Sequence, residues 1–196
     1  TKKEINLFII GAGNVGKKLI QQISAQSEKI ESLQKIKIKI SGICNSKNML
    51  ITENGIPINN WQNLLNDGAK ADPGLFVSNM TKINLRNSVL VDMTANESIP
   101  TYYQEVLRKS MSVVACNKIA ASGNFEEYKL LKDLSVSYNC KFLFETNVGA
   151  ALPIIGTLND LIKSGDKINK INAVLSGTLN FVFNNYDGTI YNQSEI

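Results

Sequence analysis

The residues with the clearest chemical meaning are Gly11, Ala12, Gly13, Asn14, Val15 and Gly16. They stand directly behind the apolar run Ile5-Asn6-Leu7-Phe8-Ile9-Ile10, and the helical pattern Val15, Leu19, Ile20, Ile23 follows at once. A buried strand entering a Gly-x-Gly-x-x-Gly turn that opens a helix is the setting in which backbone N–H groups and a helix dipole receive a pyrophosphate. Gly11 permits the tight turn, Gly13 lets the backbone approach the phosphates, and Gly16 lets helix and strand pack closely. The competing reading is a glycine turn that binds nothing. The strand–turn–helix context weighs against it. The chain has no histidine, which disfavours zinc sites and Ser-His or Cys-His catalysis. A general acid or base must then be Lys, Asp, Glu, Tyr or Cys.

In a doubly wound sheet, ligands lie beyond the carboxyl ends of the strands, so the strand exits hold the other candidates. Cys44-Asn45-Ser46-Lys47 carries no acidic residue for a ribose hydroxyl. Ser46 and Lys47 suit a 2′-phosphate, which points to NADP with NAD still possible; a polar turn with a solvated lysine is an equal reading. The exit Asp92-Met93-Thr94-Ala95-Asn96 offers Thr94 to the phosphates or the nicotinamide ribose, although capping is the commoner role for such a threonine. Lys118 lies two residues past the buried strand Ser112–Cys116. There it is suited to donate a hydrogen bond to a substrate oxygen or to move a proton, while an ordinary exposed loop lysine is the default. At the last exit, Glu145 precedes Thr146-Asn147-Val148-Gly149-Ala150-Ala151-Leu152-Pro153. A carboxylate beside carbonyl-rich small residues suits a hard cation, or is simply a strand-end charge beside close packing.

The elements that must position these residues alternate strand and helix along nearly the whole chain, which predicts an α/β fold with a doubly wound parallel sheet. Strands are expected at Ile36–Cys44, Ser88–Asp92, Ser112–Cys116 and Lys141–Glu145. A short helix carries Trp61, Leu64 and Leu65 after an Asn54-Gly55 turn. Asp72-Pro73 caps and opens a helix with Leu75, Phe76 and Met80. Ser98 and Pro100 open the helix of Tyr103, Val106 and Leu107, and Asn124–Tyr138 is a further helix. After Val148 a helix ends at Ser164-Gly165, a strand is expected around Ile171–Leu175, and a turn at Ser176-Gly177-Thr178. The expected division is a nucleotide-binding domain over 1–147 and the beginning of an α+β substrate-binding and dimerisation domain over 148–196.

The net charge of +4 is scattered over the chain's 196 residues. Lys35, Lys37 and Lys39 alternate with Ile36, Ile38 and Ile40, the pattern of a strand with one wet face rather than of a nucleic-acid patch. Three widely spaced cysteines suggest a reducing, cytoplasmic compartment without a disulfide framework. No apolar run is long enough to span a bilayer, and Thr1-Lys2-Lys3-Glu4 is not followed by a signal-peptide core. The missing initiator Met and the ending at Ser194-Glu195-Ile196 suggest a piece of a longer polypeptide.

Taken in order, the glycine turn, Val91-Asp92-Met93-Thr94, Asn117-Lys118, the stretch from Glu145 to Pro153 and Leu175-Ser176-Gly177-Thr178 resemble homoserine dehydrogenase from about Ile5 to Phe183. Cys44-Asn45-Ser46-Lys47 with Asn60-Trp61 is similar to the dehydrogenase half of fused aspartokinase–homoserine dehydrogenases. The resemblance implies reversible oxidation of L-homoserine to L-aspartate 4-semialdehyde with NAD(P), on the route to threonine and methionine. It implies cofactor contacts at Gly11, Asn14, Val15, Gly16, Thr94 and Lys118, with Lys118 catalytic beside nicotinamide and substrate. It also implies a monovalent cation, usually sodium, held by Glu145 and by backbone oxygens of Val148, Ala150 and Leu152, and a substrate pocket at Thr178. A homo-oligomer, dimer or higher, is expected, with apolar surface exposed after Val148. Two departures stand out. Ala151 replaces a glycine of the family loop, and the family's downstream acidic ligands and second lysine are not in this chain, so the chain alone is expected to be inactive. Two other classes remain open on the residues themselves. One is a non-catalytic NAD(P)-sensing module; the other is a methyltransferase using the glycine turn for S-adenosylmethionine.

Overall fold

The computed structural model describes residues 2–150 and 152–185. The chain divides into two units, Thr1–Phe144 and Glu145–Ile196.

The first unit opens with β1 (Lys3–Ile10), α1 (Asn14–Gln34) and β2 (Ile36–Cys44). There follow β3 (Asn48–Ile51), α2 (Trp61–Asn66), β4 (Ala69–Lys70), α3 (Pro73–Ile83) and β5 (Ser88–Asp92). A 3-10 turn at Ile99–Tyr102 leads into α4 (Tyr103–Arg108), and β6 (Ser112–Ala115), α5 (Ile119–Ser122), α6 (Phe125–Ser137) and β7 (Phe142–Leu143) complete it. The strands form one sheet in the order β4-β3-β2-β1-β5-β6-β7. β2, β1, β5, β6 and β7 run parallel, and β3 and β4 add an antiparallel edge.

Alternation along β1 sends successive side chains to opposite faces, and each face has its own core. Phe8 packs with Phe76, Met80, Leu90, Tyr103, Leu107 and Phe142 under α3, α4 and α6. Ile9 packs with Ile20, Ile40, Ile43, Trp61 and Leu65 under α1 and α2. Both faces are covered, as a parallel sheet requires. The helix starts follow the sequence signals. Asp72 Oδ1 accepts from Leu75 N at 2.9 Å with Pro73 beginning α3, and Asn124 Oδ1 accepts from Glu126 N at 2.7 Å ahead of α6.

Several expectations are corrected. The antiparallel pair β3–β4 is additional; the Asn45 side chain creates it by accepting from Lys47 N and Asn48 N, both at 2.7 Å, and so reversing the chain. The strand expected over Lys141–Glu145 is only Phe142–Leu143, because β7 is an edge strand whose sole partner, β6, matches it at Phe142 and Leu143; Glu145 begins a 3-10 turn, Glu145–Asn147. Val15 is not part of the apolar face of α1 but 54% exposed. In the second unit, residues 166–176 hold no strand. Ile171 and Val174 are exposed there, and a strand without a neighbour gains no ladder hydrogen bonds.

The second unit contains α7 (Ile155–Lys163) and α8 (Gly177–Asn185). α7 ends at Ser164, with Gly165 at φ +95°. Gly177 and Thr178 are the first turn of α8 rather than a free turn, since Ser176 Oγ accepts from Leu179 N at 3.1 Å and its carbonyl from Asn180 N at 2.9 Å.

Candidate functional site

The strand order reverses at β1, which has β2 on one side and β5 on the other. The four strand ends there are level: Ile10 is opposite both Cys44 and Asp92, and Asp92 is opposite Ala115. Gly11 N donates to Cys44 O at 2.8 Å, Met93 N to Ile10 O at 2.8 Å and Cys116 N to Asp92 O at 2.9 Å. The loops leaving β1, β2, β5 and β6 therefore emerge side by side at a topological switch point, where open α/β sheets bind ligands.

The glycine turn is tight for stated reasons. Gly11 has φ +100°, and a Cβ there would lie 2.8 Å from the Met93 carbonyl and 2.9 Å from Thr94 Cγ2. A Cβ on Gly16 would lie 2.1 Å from Gly11 O, whereas one on Gly13 would meet nothing within 4 Å. Gly13 is thus glycine without a packing need inside the protein. The first intrahelical bond of α1 is Lys17 N to Gly13 O, 2.8 Å, so the N–H groups of Asn14, Val15 and Gly16 lack helical partners. Gly13, Asn14 and Val15 are exposed.

A cavity of about 770 Å³ opens over this turn, lined among others by Gly11, Gly13, Ser46, Lys47, Thr94 and Asn96. A second cavity of about 410 Å³ shares Ala12, Asn45 and Asn66 with it and adds Lys17 and Trp61. The structure thus gathers the glycine turn, Ser46, Lys47 and Thr94 around one space. Lys118 is exposed at the start of α5, immediately after Asn117.

Below the cavity lies a polar group that the sequence reading did not single out. Asp92 is fully buried. Its Oδ2 accepts from the Tyr103 hydroxyl at 2.6 Å and from Asn117 Nδ2 at 3.0 Å, and its Oδ1 from Thr94 N at 2.8 Å. Burial, then the Asp92 charge, holds the Tyr103 phenol far above its ordinary range. The same two causes raise the Cys116 thiol. The available signal was a polar residue directly ending or following an apolar strand.

In the second unit Glu145 caps α7: Oε1 accepts from Ile155 N at 2.9 Å and Oε2 from Gly156 N at 2.7 Å. Gly149 and Ala150 both have positive φ, +67° and +52°. A carboxylate with backbone carbonyls at Val148, Ala150 and Leu152 is a hard oxygen donor set suited to a small cation. The amides engage each Glu145 oxygen once, which leaves further lone pairs. Ala151 lies outside the described residues. Among the described residues, no group of three or more His, Cys, Asp or Glu side chains gathers for a metal. Thr178 begins α8.

The strand order, the glycine turn at the switch point and the cavity above it make the first unit a Rossmann-type α/β domain. Residues 11–145 match the NAD-binding domain of homoserine dehydrogenase, and residues 153–195 match the homoserine dehydrogenase family that follows it. The chain belongs to the homoserine dehydrogenase family. It is 37% identical over 191 residues to a chloroplastic bifunctional aspartokinase/homoserine dehydrogenase 2 of Zea mays, covering 96% of this chain and 21% of that protein. It is 34% identical over 188 residues to homoserine dehydrogenase of Schizosaccharomyces pombe, covering 94% of this chain and 50% of that one. The chain therefore spans about a fifth of the fused relatives and half of the shorter one. A hyperthermophilic archaeal homoserine dehydrogenase in complex with NADPH shares the fold at a TM-score of 0.62 and 22% identity, covering 79% of this chain and 48% of that one. Among the described residues, no helix is long and apolar enough to cross a membrane.

Proposed function

We propose that this chain supplies the cofactor half of an NADP-preferring homoserine dehydrogenase, acting on L-homoserine and L-aspartate 4-semialdehyde. The observation that carries the reading is the glycine turn at the switch point, level with three other strand exits, two of which, those of β2 and β5, line one cavity with it. When bound, NADP supplies the hydride acceptor. The free N–H groups of α1 and the approach allowed by Gly13 hold its pyrophosphate. Ser46 and Lys47 hold a 2′-phosphate, a role supported by the absence of a carboxylate between Cys44 and Asn48. Thr94 contacts the ribose side, and Lys118 orients the reacting oxygen and accepts or relays its proton.

In the second unit, Glu145 with the carbonyls of Val148, Ala150 and Leu152 binds a monovalent cation such as sodium, and Thr178 borders the substrate pocket. The exposed Val174, Phe181 and Phe183, at 77%, 67% and 74%, support association into a homodimer or larger oligomer. The free cysteines support a cytoplasmic setting.

The test is a pair of titrations. NADPH should bind at least as tightly as NADH, and Lys47→Glu should weaken NADPH selectively; a clear NADH preference of the unaltered chain would overturn the NADP assignment. In a protein carrying this chain at the full length of the shorter relatives, Lys118→Ala should lower homoserine turnover by roughly two to four orders of magnitude with the fold intact. Near-normal turnover would return Lys118 to an ordinary loop lysine.

A further inference from the structure

Two of the loops that leave the level strand ends share a buried anchor. Asn117 is 2% exposed. Its Nδ2 donates to Asp92 Oδ2 and to Asn96 O, each at 3.0 Å, and lies 3.4 Å from Thr94 Oγ1. Its Oδ1 accepts from Ile119 N at 3.1 Å. One side chain therefore ties the loop after β5, which lines the cavity at Thr94 and Asn96, to the start of α5, where Lys118 stands. Asp92 is held in turn by the Tyr103 hydroxyl. A buried carboxyl and a buried amide are tolerated in a core only when their hydrogen bonds are met, and here each meets the other. The exit of β2 is organised separately, by the Asn45 side chain on Lys47 N and Asn48 N.

We propose that Asn117 is a positioning residue for the cofactor site. Anchored on Asp92, it fixes the Thr94–Asn96 wall and the backbone entry to Lys118. It thereby sets affinity for the nicotinamide half of the cofactor while leaving the adenosine half, at the β2 exit, untouched. The proposal rests on the NADP reading above.

The experiment titrates the purified chain calorimetrically with NADPH and, separately, with adenosine 2′,5′-bisphosphate, which carries only the adenosine end. Asn117→Ala should bind NADPH roughly tenfold more weakly, the scale of one lost hydrogen bond, and the bisphosphate within about twofold of the unaltered chain. Tyr103→Phe keeps the ring against Phe142, 5.9 Å away, and removes only the hydroxyl. It should show the same selective loss in smaller measure, and it decides the matter if Asn117→Ala is unfolded by circular dichroism. Equal changes in both ligands, or no change in either, would mean that Asn117 serves the fold alone and would overturn the proposal. If the unaltered chain binds neither ligand, the NADP reading fails first and takes this inference with it.

Discussion

The two later glycines of the turn are asked for different reasons, and substitution separates them. At Gly16 a Cβ would sit 2.1 Å from Gly11 O. That contact is backbone against backbone, so no rotamer relieves it, and α1 must move off β1. Overpacking of this kind costs about 1–3 kcal/mol. For a chain of 196 residues, each kcal/mol lowers Tm by about 2–4 °C, so Gly16→Ala should melt roughly 2–12 °C lower. At Gly13 nothing lies within 4 Å of a Cβ, and the backbone, φ −77° and ψ −152°, is extended and not left-handed. Gly13→Ala exchanges one N-cap without a side-chain acceptor for another, at a cost of about 1 kcal/mol or less. If a pyrophosphate lies against this turn, the added methyl occupies the space it needs. Gly13→Ala should then fold as the unaltered chain does and bind NADPH at least about tenfold more weakly. The assays are thermal melts followed by circular dichroism and calorimetric titration with NADPH. A Gly13→Ala chain that binds NADPH normally would refute the pyrophosphate placement, and a Gly16→Ala chain that melts normally would refute the close approach.

Two further expectations follow from single side chains. Glu145→Ala removes the acceptors of Ile155 N and Gly156 N and should destabilise the first turn of α7 by about 1 kcal/mol; amide exchange at Ile155 and Gly156 should accelerate about fivefold or more, and unchanged exchange would sink the capping role. Burial, then the nearby Asp72 charge, pushes the Cys44 thiol up to about 11 from an ordinary 9.0. The unfolded chain therefore loses this proton first as pH rises, so the stability gained by keeping the thiol neutral is present below about pH 9 and is lost towards about pH 11. Urea midpoints should fall over that window, and fall less steeply in Cys44→Ala; identical slopes would contradict the burial effect.

The sequence revealed what is local and periodic. The run Ile5–Ile10, the glycine spacing and the helix starts at Asp72 and Asn124 each show as a pattern among residues close in sequence, and the structure bears them out. Elements decided by partners were harder to read. β3 and β4 have four and two residues, too short for a period to show, and exist because Asn45 turns the chain back onto β2. The apolar stretch Ile171–Leu175 has strand composition, yet pairing depends on a neighbouring strand that the sequence cannot display.

The Asp92 group lies between these cases. In a parallel sheet covered on both faces, most interior strand positions are apolar, and the buried polar exceptions inside β1 and β2, Asn6 and Ser41, satisfy each other across the two strands. Asp92 is the last residue of β5, and Asn117 stands two residues beyond β6. Each is legible alone as a strand-end polar residue. Their meeting is not, because it depends on β5 and β6 being adjacent and in the register that sets Asp92 against Ala115. Once that register is given, Asn117 two residues on reaches Asp92 Oδ2, and Tyr103 reaches it from α4 in between. The carboxyl edge of such a sheet is thus both where a ligand finds open backbone groups and where a buried network is the nearest support for the loops that hold it.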